Sequence, residues 1–65
     1  MDKDRVQQTA DGSRIFWVIR GQDYANSVDA EEALRAAGFS AKDAGDYTRM
    51  LLAEYHKEQR KAKNV

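Results

Sequence analysis

Apolar side chains are concentrated in two stretches of this chain, and the two stretches have different periods. Residues 14–20 read Arg-Ile-Phe-Trp-Val-Ile-Arg, a β-forming run that is apolar on both faces between two arginines. Side chains alternate along a strand, so Ile15, Trp17 and Ile19 point one way while Phe16 and Val18 point the other with Arg14 and Arg20. Further on the spacing changes to three and four. Ala30, Ala33, Leu34 and Ala37 repeat in this way, and Ala44, Tyr47, Met50, Leu51, Leu52 and Tyr55 cover one broad side of a second helix.

Between the runs 5–9 and 14–20 stands Ala10-Asp11-Gly12-Ser13, and an Asp-Gly pair flanked by β-favouring residues signals a hairpin. A two-residue turn at Asp11 and Gly12 sets Val6 opposite Trp17 and Gln8 opposite Ile15. Val6, Ile15, Trp17 and Ile19 then share the core face. Arg5, Gln7, Thr9, Arg14, Phe16, Val18 and Arg20 fall on the other, and a slip of one residue would exchange the two sets. Gly21 offers a second reversal, after which residues 23–26 can return as a short third strand with Tyr24 beside Ile19.

Asp29-Ala30-Glu31-Glu32 fits a capping box and starts a first helix over 30–37. Gly38 supplies a left-handed stop, with Phe39 folding back onto Leu34. Ser40 caps a second helix over 41–60, whose acidic start (Asp43, Asp46) and basic end (Lys57, Arg60, Lys61) both suit the helix dipole. Asn64 and Val65 fray. The expected fold is α+β: an antiparallel hairpin or three-stranded meander followed by a short and a long helix packed on one sheet face. Its core comprises Val6, Ile15, Trp17, Ile19, Leu34, Phe39, Ala44, Tyr47, Leu51 and Tyr55.

Length makes the second sheet face matter. A chain of 65 residues forms one domain, 1–65, and can rarely cover both faces of a sheet. Cysteine is absent, which removes disulfides, thiolate metal sites and cysteine nucleophiles. No apolar run approaches the roughly 20 residues needed to span a bilayer, and the polar start lacks the apolar core of a secretory signal. The expectation is a cytoplasmic protein, intact from its first methionine, with no membrane association.

Formal charge is zero overall but unevenly distributed: residues 1–21 carry four basic and three acidic side chains, 22–46 two and six, 47–65 five and two. A neutral total argues against non-specific nucleic-acid affinity, which rests on a dense basic surface. The acidic middle and basic tail are suited to neutralise one another within the fold or between two copies.

Catalytic chemistry finds little support. His56 is the single histidine, and Glu54 and Glu58 are not three or four residues from it, so no metal-ligand set shares its face. Ser13, Ser27 and Ser40 lie at turns or helix starts, where hydroxyls satisfy free backbone N–H groups. The carboxylates of Glu31, Glu32, Asp43 and Asp46 are accounted for by the helix starts. No enzyme, cofactor or metal is expected.

Two surfaces remain. Phe16 and Val18 framed by Arg5, Arg14 and Arg20 combine an apolar centre with guanidinium rims, as interface hot spots do. A larger protein is the favoured partner, followed by a second copy of the chain and then by nucleic acid stacked on the same face. The segment 33–52 has the outline of a helix-turn-helix, but the leading residues of its second helix, Lys42, Asp43 and Asp46, are largely acidic. A small DNA-binding regulator using that segment or the Arg-rich sheet face, with Lys57, Arg60 and Lys61 as further nucleic-acid contacts, is the alternative. In size and style the chain resembles the tiny cysteine-free proteins of phages and mobile elements that inhibit host machinery by occluding a surface, an association carried by no motif.

Overall fold

The central strand of the sheet is the apolar run itself. In a computed structural model that describes residues 3–63, β1 (Arg5–Gln8), β2 (Ile15–Ile19) and β3 (Gln22–Tyr24) form an antiparallel sheet in the order β1-β2-β3. Two helices follow, α1 (Ser27–Ala36) and α2 (Ala41–Lys63). Both pack on one sheet face, α1 against β2 and β3, α2 against β1. This is the expected α+β meander with a short and a long helix. No helix of the described residues is long and apolar enough to cross a membrane.

Val6 pairs with Trp17 and Gln8 with Ile15, the expected register. The turn that produces it is different. Gly12 donates its N–H to the Thr9 carbonyl at 2.9 Å and Thr9 donates to the Arg14 carbonyl at 3.0 Å, so the tight turn centres on Ala10 and Asp11 inside a four-residue loop. Gly12 follows at φ 74°. The Asp11 carboxylate braces the loop by accepting from the Thr9 hydroxyl at 2.6 Å, the Ser13 N–H at 3.0 Å and the Ser13 hydroxyl at 2.8 Å. Those donors, the Thr9 hydroxyl foremost, hold its pKa down at about 2.

The second hairpin is tighter than expected. Arg20 and Gly21 form its two-residue loop with φ 52° and 78°, the positive pair of a type I′ turn. Ile19 therefore pairs with Gln22, and Tyr24 lies opposite Trp17 rather than beside Ile19. The strand ends at Tyr24 because α1 begins earlier than the capping box at Asp29 implied. Asn26 is the N-cap, its side chain accepting the Asp29 N–H at 2.9 Å. Asparagine and aspartate cap equally well, and the earlier start adds a turn that leaves Val28 69% exposed while Ala30 is fully buried.

At its other end α1 closes as anticipated. Phe39 donates to the Leu34 carbonyl and Gly38 to that of Arg35, each at 3.0 Å, the paired bonds of a Schellman motif. Gly38 has φ 110°, and Phe39 packs against the core that contains Leu34. Ser40 caps α2, its hydroxyl accepting the Asp43 N–H at 3.1 Å. α2 runs three residues past the expected end, and the fraying expected of Asn64 and Val65 lies outside the described residues.

Val6, Trp17, Ile19, Ala30, Leu34, Ala44 and Leu51 form the buried core, with Ile15, Tyr24, Phe39, Tyr47, Leu52 and Tyr55 packed around it. Every residue expected in the core is there. Met50, which helical spacing puts on the broad apolar side of α2, is 44% exposed, whereas Thr48 is buried with its hydroxyl donating to the Gly45 carbonyl at 3.0 Å.

A Cβ at Gly38 would meet nothing within 4 Å, so substitution there costs backbone strain alone. Gly38→Val is expected to destabilise the fold by about 1–3 kcal/mol, read as a drop in melting temperature of roughly 4 °C or more. Gly38→Asn should cost less. Equal melting temperatures for all three proteins would refute the left-handed stop.

Candidate functional site

Alternation along the strands places Arg5, Gln7, Phe16, Val18 and Asp23 on the sheet face turned away from the helices. Phe16 sits opposite Gln7 and is half-buried. Val18 was expected to contribute exposed apolar surface there, and it does not: it is 3% exposed. It occupies the central strand between Arg5 and Asp23, a position flanked by a strand on each side.

The arginines are arranged differently from a simple strand pattern. Arg14 and Arg20 stand just outside the two ends of β2, both exposed. Arg5 lies along its own strand, its guanidinium donating to the Gln7 side chain at 2.8 Å and to the Lys3 carbonyl at 3.0 Å. The outer face thus presents one half-buried aromatic, Phe16, with the exposed Arg14 and Arg20 beyond the two ends of its strand.

Arg20 occupies a left-handed position that asparagine or glycine would take at lower cost. Its backbone N–H donates to Asp4 Oδ1 at 2.9 Å, and the Tyr47 hydroxyl donates to Asp4 Oδ2 at 2.6 Å. One carboxylate therefore clamps the β2–β3 turn, the entry to β1 and the first half of α2 together. The hydrogen bond to Asp4, with burial second, pushes the Tyr47 hydroxyl up to about 12. Sequence reasoning missed this clamp.

The other candidates resolve as follows. Lys57, Arg60 and Lys61 lie exposed on the last turns of α2. Lys57 and Lys61 join Lys3 and Arg5 around a groove of about 680 Å³ between β1 and α2, so the structure brings together cations from the two ends of the chain. On the leading turns of α2, Asp46 pairs with Lys42 at 2.8 Å and Arg49 at 3.1 Å; these two, Lys42 first, lower its pKa. His56 is exposed, its ring 5.5 Å from that of Tyr55, and among the described residues no group of His, Asp and Glu is arranged to hold a metal.

Compared with family models, curated proteins and solved structures, the chain matches none.

The raised Tyr47 pKa carries a definite sign. The folded state holds the phenol proton more tightly than the unfolded chain, so this stabilisation is complete below about pH 10 and is lost as pH rises toward about 12. Ultraviolet titration should show one late tyrosine that disappears in Tyr47→Phe, together with the corresponding alkaline loss of stability. Titration of all three tyrosines together near the ordinary value would contradict the clamp.

Proposed function

We propose that this chain is a non-enzymatic protein-binding module that acts by occupying a surface of a larger protein, with the outer sheet face around Phe16 as its principal contact. The observation that carries this is the one-sided packing of the sheet. Both helices seal the Trp17 face, while Phe16 on the reverse remains part-exposed between the exposed Arg14 and Arg20. An aromatic centre with guanidinium rims is the composition of interface hot spots.

Arg20 adds a second support. An arginine at a left-handed position that glycine or asparagine would take with less strain supports a use for its guanidinium outside the fold. The phage or mobile-element inhibitor style of the sequence agrees with a small occluding module of this kind. A homodimer through the same face is the neighbouring possibility, and a larger protein is favoured because the arginines at and around this face outnumber its carboxylate, Asp23, so that the face would repel its own copy.

The DNA-binding alternative draws on the α1–α2 outline and the basic end of α2. Its leading turns disfavour it. Lys42 and Arg49, the cations available to meet phosphate there, are already paired with Asp46, and Asp43 stands exposed beside them.

Phe16→Ala combined with Arg14→Glu should leave the chain folded, since neither side chain belongs to the core cluster. In parallel affinity purifications at ordinary salt, the wild type should retain one stoichiometric protein that the double variant loses. Charge reversal at Lys57, Arg60 and Lys61 should leave that protein bound. Unchanged binding by the double variant, or salt-dependent retention on duplex DNA abolished by the tail reversal, would overturn the proposal in favour of another face or of nucleic acid.

A further inference from the structure

The groove between β1 and α2 has a wall made of unpaired backbone. Thr9 donates its N–H to the Arg14 carbonyl, which makes these two a hydrogen-bonded pair. Antiparallel alternation then gives the same status to Gln7 with Phe16 and to Arg5 with Val18. The N–H and C=O groups of Val6 and Gln8 are thereby turned outward, to the open edge of the sheet. β3, the opposite edge, is three residues long and turns out only those of Asp23.

The groove follows that edge. Lys3, Asp4, Arg5, Val6, Gln7 and Gln8 line it consecutively, residues that alternate between the two faces of the sheet, so the space lies alongside β1. Its far wall is the second half of α2, which contributes Leu51 and Tyr55 at the floor and Glu54, Lys57, Glu58 and Lys61 at the rim. An edge strand facing a helix across a groove is the geometry in which an extended peptide adds as a further strand.

We infer that this groove binds an extended, acidic peptide segment of a partner protein as a fourth strand beside β1. Charge selects the chemistry. The lining carries four cations, Lys3, Arg5, Lys57 and Lys61, against three carboxylates, Asp4, Glu54 and Glu58, so the excess is basic, and Asp4 is already hydrogen-bonded through both oxygens to the Arg20 N–H and the Tyr47 hydroxyl. Among the described residues the ion pairs are those of Asp46 with Lys42 and Arg49, so no groove cation is neutralised by an ion pair. Geometry selects a peptide over a second copy. Two β1 strands paired antiparallel within one sheet would bring both α2 helices over the same side of the junction, because α2 packs on β1 itself, and two helices need 8–10 Å between axes where adjacent strands supply about 4.8 Å.

The inference rests on the protein-binding reading but uses a different surface, and its test separates the two. The probes are a capped peptide alternating valine with aspartate and glutamate, its lysine counterpart, and an acidic version N-methylated at alternate residues. Titrated into the isotope-labelled protein, the acidic peptide should shift and protect the Val6 and Gln8 amides. The lysine and N-methylated peptides should bind roughly tenfold or more weakly. Gln8→Pro removes only an outward N–H of an edge strand, a place where proline is tolerated, and should abolish binding. Lys57→Glu with Lys61→Glu, both exposed, provides the same test through charge should the proline variant fail to fold. The outer-face variant Phe16→Ala/Arg14→Glu should bind the peptide as the wild type does. Unperturbed Val6 and Gln8 amides, equal affinity for the lysine peptide, or a concentration-dependent dimer protected at the same two amides would overturn the inference.

Discussion

Trp17 is the side chain on which the arrangement depends. It lies in the middle of the central strand, paired with Val6 on one side and Tyr24 on the other, and its indole Nε1–H donates to the Thr48 carbonyl of α2 at 3.2 Å. A large aromatic buried in this way stabilises a small domain by an amount comparable with much of its total stability, about 3–5 kcal/mol against a net of roughly 5–15. α2 accommodates it locally. Gly45 is buried and carries no side chain, and Thr48 turns its hydroxyl back to the Gly45 carbonyl, so no polar atom is stranded where sheet and helix meet.

Once Trp17 is committed inward, the two-residue period of β2 commits Phe16 outward, and the surface chemistry follows from the core. Two helices seal one face of the three-stranded sheet, leaving Phe16 part-exposed on the reverse face and the β1 edge without a strand partner among the described residues. The Asp4 carboxylate then fixes how these surfaces sit relative to one another. By joining Arg20 and Tyr47 it holds a strained turn, the strand entry and the long helix in one geometry, which positions Arg20 at the outer face and aligns α2 beside the open edge. The same two bonds engage the groove carboxylate that stands at the entry to β1.

How much of this was legible in the amino acids can be traced residue by residue. The register was correct although the turn was not, because a two-residue turn at Asp11–Gly12 and the observed four-residue loop join strands in the same pairing. The Schellman stop at Gly38 and Phe39 is a local signal and was read in full. The start of α1 differs by three residues because Asn26 and Asp29 are equally good caps, and it is Asn26 that accepts the Asp29 N–H. Thr48 was passed over as polar within an apolar stripe. Asp4 bonds a residue 43 positions away, a distance at which no local pattern speaks. Of the outer face, the five residues Arg5, Arg14, Phe16, Val18 and Arg20 could be named, but the burial of Val18 and the displacement of Arg14 and Arg20 beyond the strand ends depend on cross-strand neighbours and loop geometry. The β1–α2 groove was illegible because it exists only through the docking of one element on the other.

The central claim is that Trp17 faces α2 and Phe16 faces out. Hydrogen exchange of the Trp17 indole N–H, followed by NMR in the intact protein, tests it most directly. Held by the Thr48 carbonyl inside the core, that proton should exchange only through global unfolding, as slowly as the most protected amides of β2. Exchange at the rate of an exposed indole would contradict the account, because it would mean that the register is reversed and that Phe16 belongs to the core.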